Sequence, residues 1–524
     1  MVLPLLATWL ALSPSGDRIS VAWDVPGEVL HFDTTKKVLL GKDRLASAPA
    51  IGGRFRLNRF AGTLDVLGPP ARTIAICREP YAAALTPDGK RLFVTCLLPE
   101  QSALSAHVAA RVVVVNAESG AVITSILLPN GSTSVRGIAI SPDGRWAFVA
   151  HILARFTVHT SQMEQGWMNT NALSVLDVQR QKLHATVLLD DVDNGAANPW
   201  AVAVSTDAKT LYVTHAGTHE LSVIDLPAMF KRIAESGDDP ANRLSFLLGI
   251  RRRIALPGKG PRALVVAGNT VWVAEYFTRT LTSVRLGARP EIHTFPTVLG
   301  ESVTLEHRGE LLFHDALLSP QKWQSCSSCH PDARADGLNW DLLNDGIGNP
   351  KNTRSLVNAH RTGPVMWTGV RPSASYAVRS GMKHILFVEP SEEVAGAIEA
   401  WLQSLRPLPG PVRDKAAVAR GRKLFFSAEV GCFGCHPPPL YTDNELHDVG
   451  THGPADFTSG QTPQNSFKTP SLLEAWRTGP YLHDGRYATL REVITEGNRT
   501  GLRGHTAGLT PREIEDLLAF LSSL

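Results

Sequence analysis

The stretch AAALTPDGKRLFVTC (82–96) recurs along the first half of the chain, and its reading decides the fold of that half. It returns as GIAISPDGRWAFVAH (137–151), AVAVSTDAKTLYVTH (201–215) and LALSPSGDRISVAW (10–23), and in degenerate form as ALVVAGNTVWVAEY (263–276). Each copy joins an apolar strand, a tight turn and a second strand of alternating character. The Pro-Asp-Gly turn has a physical basis, since Pro presets φ and Gly accepts positive φ. Several copies run on into a third strand, as in RVVVVNAES (111–119), ALSVLDVQR (172–180) and ELSVIDLPA (220–228). Strand, turn, strand, loop, strand at this interval is a propeller blade, and blades bury their apolar faces only against neighbours, so the repeats must close into a ring. Five blades are legible. The weak segment 54–77 supplies a sixth and a seventh has room to be hidden, so the expectation is an all-β propeller of six to seven blades over residues 1–296.

With Leu211-Tyr-Val-Thr-His215 where that family's signature lies, the first half resembles the YVTN-type β-propellers. Such a resemblance specifies fold and leaves function open. The 524 residues exceed one ordinary core and suit two or three domains. A net charge of +3 gives no case for a nucleic-acid partner. No apolar run is long enough for a transmembrane helix. The apolar N-terminus, residues 1–12, lacks the Lys or Arg that opens a secretory signal and runs straight into the first repeat.

Past Thr297 the strand repeats give way to helical patterns around two copies of one motif, Cys326-Ser-Ser-Cys329-His330 and Cys432-Phe-Gly-Cys435-His436. Cys-x-x-Cys-His is a c-type haem attachment site: the thiols add across the haem vinyls and the adjacent His supplies the proximal nitrogen to iron. The competing reading, zinc knuckles or redox dithiols, wants ligand pairs close together in sequence, and these motifs stand 106 residues apart. Two covalently bound haem c groups are therefore expected. Haem attachment of this kind takes place outside the cytoplasm, so a periplasmic location is expected. The remaining cysteines, Cys77 and Cys96, read as buried strand thiols in preference to a disulfide.

Short helices lead into each motif, at 306–313 and 416–426. A third is expected at 392–405, and the linker 406–411 is proline-rich. A final helix opens with Thr510 as N-cap, Pro511 in the first turn and Glu513 closing a capping box. The expected layout is two mainly α-helical cytochrome c-type domains, 298–408 and 412–524.

The pieces RGELLFHDALLSPQKWQSCSSCHPDARADGLNWDL, GNPKNTRSL, AEVGCFGCHPPPLYTD and FKTPSLLEAWRTGPYLHDGRYATLREVI make most of 306–524 similar to the dihaem cytochrome c peroxidases, including the MauG-like enzymes. The resemblance implies one haem for electron entry, one able to open a position for hydrogen peroxide, and a calcium ion between them. Trp367 occupies the place of the family's inter-haem tryptophan. Thr478 and Pro480 match the loop whose carbonyls hold calcium, and Asn349 is a candidate third ligand. Ordinary core packing is the competing reading of Trp367.

Three departures matter. The family's pocket Gln and Glu align with Ala377 and Phe387, leaving Glu389, or else His384, as the titratable group for acid–base help at a bound oxygen. The distal Met or Tyr of the second haem aligns with Gly497, and no Met follows Met382, which excludes Met ligation from within the second domain. A distal His closing the first haem would fall near Gly346. His505, in a glycine-rich loop, is the candidate distal ligand of the second haem, ahead of His447, His452 and His483. The first haem has His360, Met366, Met382 and His384 as candidates.

The resulting expectation is a periplasmic dihaem cytochrome with electron transfer and peroxidase-like oxidoreductase activity, served by a small redox protein. The alternative is a non-catalytic electron-transfer or redox-sensing cytochrome whose propeller docks a protein partner. A third reading puts the chemistry at a propeller metal site built from His151, His159, His215 and His219, against the plainer reading of satisfied or solvated histidines.

Overall fold

A computed structural model of the chain describes residues 9–13, 15–22, 27–36, 38–45, 50–158, 166, 168–237, 239–297, 303–342, 349–411, 414–453, 456 and 465–524. His159 and Gly346 lie outside the described residues. Two compact units are present: 1–98, 109–154 and 169–328 in the first, and 99–108, 155–168 and 329–524 in the second.

The first unit is a β-propeller of six antiparallel sheets among the described residues. Five have four strands, and the blade read from 54–77 has three: Phe55–Asn58, Thr63–Val66 and Arg72–Ala75. The blades begin with Trp9–Leu12, Phe55–Asn58, Pro80–Leu85, Ser132–Ile140, Pro199–Val204 and Pro261–Ala267. From Phe55–Asn58 through Pro261–Ala267 and on to Trp9–Leu12 these first strands pack each on the next, so they line the axis.

Local chemistry builds each blade. In the repeated turn, Asp88, Asp143 and Asp207 accept the N–H of the residue two places on, at 3.0, 3.0 and 3.1 Å, while Thr86, Ser141 or Ser205 donates its hydroxyl to the same carboxylate. Those hydroxyl bonds hold all three carboxyls below their ordinary range. Gly89 and Gly144 take φ of 70° at the turn's left-handed position, and Ala208 takes 57° in the blade that lacks the glycine. Between blades, buried side chains interdigitate, as with Phe93, Val112, Val114, Val149 and Leu176.

Cys77 and Cys96 form a disulfide, with a Cα separation of 6.1 Å. This corrects the expectation of free thiols: the spacing along the chain is silent on which strand ends meet, and blade packing brings these two together.

The first unit runs on to Ser328 because the segment after the last blade is bound to the propeller. Helix Leu305–His314 places His307 Nε2 2.7 Å from the Phe277 carbonyl, and the Ala316 N–H donates to the Gly217 carbonyl at 2.9 Å. Asn171 Nδ2 donates to the Trp323 carbonyl at 3.1 Å, and a Cβ on Gly195 would overlap the Lys322 carbonyl.

In the second unit the helices follow the expected pattern: Glu392–Ser404, Lys415–Phe425 and Pro511–Leu521, the last with the Thr510/Glu513 capping box in place. Lys415–Phe425 crosses Pro511–Leu521 closely enough that a Cβ on Gly421 would overlap the Asp516 carbonyl. Phe425, Leu517 and Phe520 fill the crossing. Arg420 closes it with a bidentate pair to Asp516 at 2.7 Å on both arms.

A pseudo-repeat organises the rest. SLVNAHRTGPVMWTGVR (355–371) and SLLEAWRTGPYLHDGRY (471–487) each carry a left-handed residue (Asn358, Glu474), a cis Gly-Pro bond and a second left-handed residue (Met366, Leu482). Each closes with a lone antiparallel bridge, Val365 to Arg371 and Tyr481 to Tyr487. The two segments cross-link reciprocally: the Asn352 N–H donates to the His483 carbonyl at 2.7 Å, and the Lys468 N–H to the Trp367 carbonyl at 2.8 Å.

Candidate haem centres

In the first motif Cys326–Cys329 forms one turn of helix. Asn198, at the entry to a propeller inner strand, donates its amide to Ser325 Oγ at 2.9 Å and Ser327 Oγ at 3.2 Å, and accepts from Ser328 Oγ at 3.0 Å. The two residues between the cysteines are therefore anchors, a role the sequence does not signal. In the second unit, His330 Nδ1 lies 3.0 Å from the Arg334 carbonyl. A carbonyl only accepts, so Nδ1 carries the proton and Nε2 is left with its lone pair for iron. Burial lowers the His330 pKa and keeps the ring neutral, as a ligand requires.

The second motif repeats this logic on a different backbone. Gly431 at φ 73° starts a short 3₁₀ turn, Cys432–Gly434. His436 Nδ1 lies 2.9 Å from the Tyr441 carbonyl, which again leaves Nε2 free. Burial pushes the thiols of Cys326 and Cys432 up to about 12 and about 11, a poor start for a metal thiolate. Among the described residues the four motif cysteines do not gather into one cluster, and the group of Cys435, Asp443 and His447 uses a thiol that haem attachment would consume. The donor sets fit covalent haem at each motif.

His505 is exposed, on a loop whose backbone reaches the second motif. Its N–H donates to the Val430 carbonyl at 2.8 Å, and a Cβ on Gly504 would lie 3.3 Å from Cys432 Sγ. Other candidates are occupied or exposed. His447 pairs with Asp443 at 2.7 Å, and His483 is buried, stacked on Phe467 and paired with Asp456 at 3.0 Å. His360, His384 and His452 are exposed; Met366 is half-buried and Met382 buried.

Trp367 is half-buried in the reciprocal cross-link, and its indole N–H donates to the Asn352 carbonyl at 2.7 Å. The Arg354 guanidinium stands 4.7 Å over its ring and donates to the Met366 carbonyl at 2.7 Å. Burial brings Arg354 down to about 10; burial and the nearby Arg354 charge bring Lys468 down to about 8. Glu389 is exposed and ion-paired with Lys383 at 2.5 Å.

At the expected calcium position the Asn349 amide oxygen is occupied by the Lys351 ammonium. Asn352 instead meets the loop: its side-chain amide donates to the buried Pro480 carbonyl at 2.5 Å, and its Oδ1 is buried without a hydrogen-bond partner among the described residues. Thr478 donates its hydroxyl to the Ala475 carbonyl at 3.5 Å, which leaves its own carbonyl out of that bond. An orphaned buried amide oxygen on a side chain held at the Pro480 carbonyl is the kind of oxygen donor that a hard cation takes. The three-residue offset between the two asparagines in GNPKN hid Asn352 from sequence reading.

Of the propeller histidines, His151 and His215 are satisfied structural groups. His151 Nε2 bonds Ser174 Oγ at 2.8 Å, and His215 Nε2 bonds Ser222 Oγ at 2.7 Å, each on the neighbouring strand. His219 accepts the Gly260 N–H at 3.1 Å and lies 3.3 Å from Asp315. No metal cluster forms from them among the described residues.

Residues 304–409 match the family model described as Di-haem cytochrome c peroxidase. Hydrazine synthase subunit gamma of Kuenenia stuttgartiensis is 28% identical over 288 residues, covering 45% of this chain and 82% of that protein. Methylamine utilization protein MauG of Methylophilus methylotrophus is 24% identical over 316 residues, covering 50% of this chain and 92% of that protein. Cytochrome-c peroxidase IdrP2 of Denitromonas iodatirespirans is 24% identical over 313 residues, covering 45% and 85%. Residues 304–409 thus carry a di-haem cytochrome c peroxidase domain, that of a peroxidase-like oxidoreductase whose family implies haem c.

Proposed function

We propose that this chain is a periplasmic dihaem c-type cytochrome that passes electrons between a small redox protein and hydrogen peroxide, with a propeller fused ahead of two haem domains, 298–408 and 412–524. The observation that carries the reading is the paired motif: two Cys-x-x-Cys-His sites, each with its imidazole Nδ1 tied to a backbone carbonyl, the first of them inside residues 304–409 that match the peroxidase family model. The Cys77–Cys96 disulfide supports an oxidising compartment. No helix among the described residues is long and apolar enough to cross a membrane.

When bound, the haems supply one-electron chemistry and a coordination site for peroxide. The chain's own residues set what surrounds them. His330 and His436 would hold the haem irons as neutral imidazoles, and Arg334 and Tyr441 fix their tautomers through main-chain oxygens. Trp367, pinned by Asn352 and covered by Arg354, gives a fixed aromatic ring in the cross-link between the two halves, suited to relay an electron. Asn352, Thr478 and Pro480 would hold calcium, and His505 would be a further imidazole available to the second haem.

The second reading, electron transfer without turnover, has one observation in its favour. Glu389 faces solvent with Lys383, and Ala377 and Phe387 have no titratable group, which leaves the exposed His384 as the remaining acid–base candidate for O–O cleavage. Optical and EPR spectra of the oxidised and half-reduced holoprotein, followed by peroxide addition, separate the two. A high-spin haem on half-reduction that reacts with peroxide is expected; two low-spin haems indifferent to peroxide would overturn the peroxidase reading and leave an electron carrier.

A further inference from the structure

We propose that Lys468 and Arg354 hold a propionate carboxylate of a bound haem, an inference that rests on the dihaem reading above. Lys468 ends the short strand Phe467–Lys468, which pairs with Leu446–His447 downstream of the second motif. Its side chain is 1% exposed and is among the largest wholly buried ones of the described residues. An ammonium has three donors and no acceptor. Here one acceptor meets it, the Asn444 amide oxygen at 3.1 Å. The neighbouring carboxylate, Asp443, is paired with His447 at 2.7 Å.

Arg354 adds a second cation to the first. Both meet Trp367: the Lys468 N–H donates to its carbonyl at 2.8 Å, and the Arg354 guanidinium stands 4.7 Å over its ring. The side-chain partners of the two cations are neutral, an amide oxygen for Lys468 and a carbonyl and an indole for Arg354. The charges are close enough that Arg354 adds to burial in lowering the Lys468 pKa to about 8. At Arg354 burial acts with no acid opposing it. Two desolvated like charges facing neutral dipoles are unfavourable, and an anion between them offsets both.

The same two segments steady the haem-binding imidazoles. Main-chain hydrogen bonding by Arg354 bears on the His330 ring, and by Pro470, two residues past Lys468, on the His436 ring. Each haem carries propionate carboxylates at one edge of its ring. Guanidinium and ammonium donors side by side suit a two-oxygen anion. A free anion would have to enter from solvent past a lysine that the fold has closed over, whereas a propionate arrives with the haem.

Resonance Raman spectra and redox titrations of the full-length holoprotein and its Lys468→Met variant test this, with haem content measured alongside. Two covalent haems by pyridine haemochrome are expected in both. In the variant the propionate bending band of one haem should shift. The reduction equilibrium of that haem should fall about ten-fold, or about 59 mV for one electron, because losing a nearby cation favours the ferric state. Lys468→Arg keeps the charge and changes the donor geometry, so it should shift the band and hold the potential; it decides if Lys468→Met does not fold or load. Lys423→Met, at an exposed position of helix Lys415–Phe425, should change neither. A propionate band unmoved in both Lys468 variants, with two haems bound, would overturn this site alone. Wild-type protein without covalent haem would overturn the dihaem reading and this site with it.

Discussion

Segments 355–371 and 471–487 share a backbone and differ in what they hold. Both make the same left-handed turn, cis Gly-Pro bond and closing bridge, so main-chain geometry has been kept through the duplication. At matched positions one presents Trp367 under a buried guanidinium, and the other presents His483 in a buried ion pair with Asp456. Asn358 in the first becomes Glu474 in the second, and Glu474 binds Arg334 of the first half through both oxygens, at 2.9 and 2.7 Å. A repeated backbone therefore supplies pseudo-symmetric scaffolding, while its side chains place a covered aromatic ring in one half and a charged brace in the other.

The largest effect should come from the motifs themselves. Replacing Cys326 and Cys329 by Ala should lower the pyridine haemochrome yield from two haems per chain to one; loss of both would mean that the halves do not load independently. Next is the brace. Glu474→Ala strands the buried Arg334 and should cost about 3–5 kcal/mol by denaturant unfolding. Asn358→Ala, its counterpart, should cost far less, and equal costs would break the proposed asymmetry. Asn198→Ala removes the clamp on Ser325, Ser327 and Ser328, which has no equivalent at the second motif. Leaving those buried groups unpaired should cost about 2 kcal/mol.

The smallest effect is one of pH. Burial alone would raise the Asp456 carboxyl, but its bonds to His483 and Lys351 win and hold it well below the ordinary value of 3.8. A depressed carboxylate contributes stability that is fully present above its unfolded pKa and is lost as pH falls through the folded one. The melting-temperature gap between the wild type and Asp456→Asn should therefore be constant near neutrality and shrink below about pH 4. A gap unchanged by acid would show that the pair does not titrate with folding.

Much of this was legible in the chain. Pro-Asp-Gly turns and strand alternation are local signals, so the propeller could be read, as could the Thr510 capping box and both Cys-x-x-Cys-His sites. The sixth blade was weak because its three strands lack that turn. Other features depend on which distant groups meet. Cys77 and Cys96 pair only because blades two and three pack side by side. Asn352 reaches Pro480 only because two segments cross-link across more than a hundred residues, and so the nearer-looking Asn349 was the one singled out.

By itself the sequence determined the chemistry that adjacent residues can hold: turns, caps, and the thiol, thiol, imidazole order that attaches haem. Tertiary structure alone decided the tautomer of each motif histidine, the pairing of buried charges and the packing of the Arg136 and Arg262 guanidinium groups against the Trp200 ring from neighbouring blades. The physical reason is range. Backbone propensity and motif spacing act over a few residues, whereas desolvation, hydrogen-bond completion and stacking depend on partners that only the folded chain brings together.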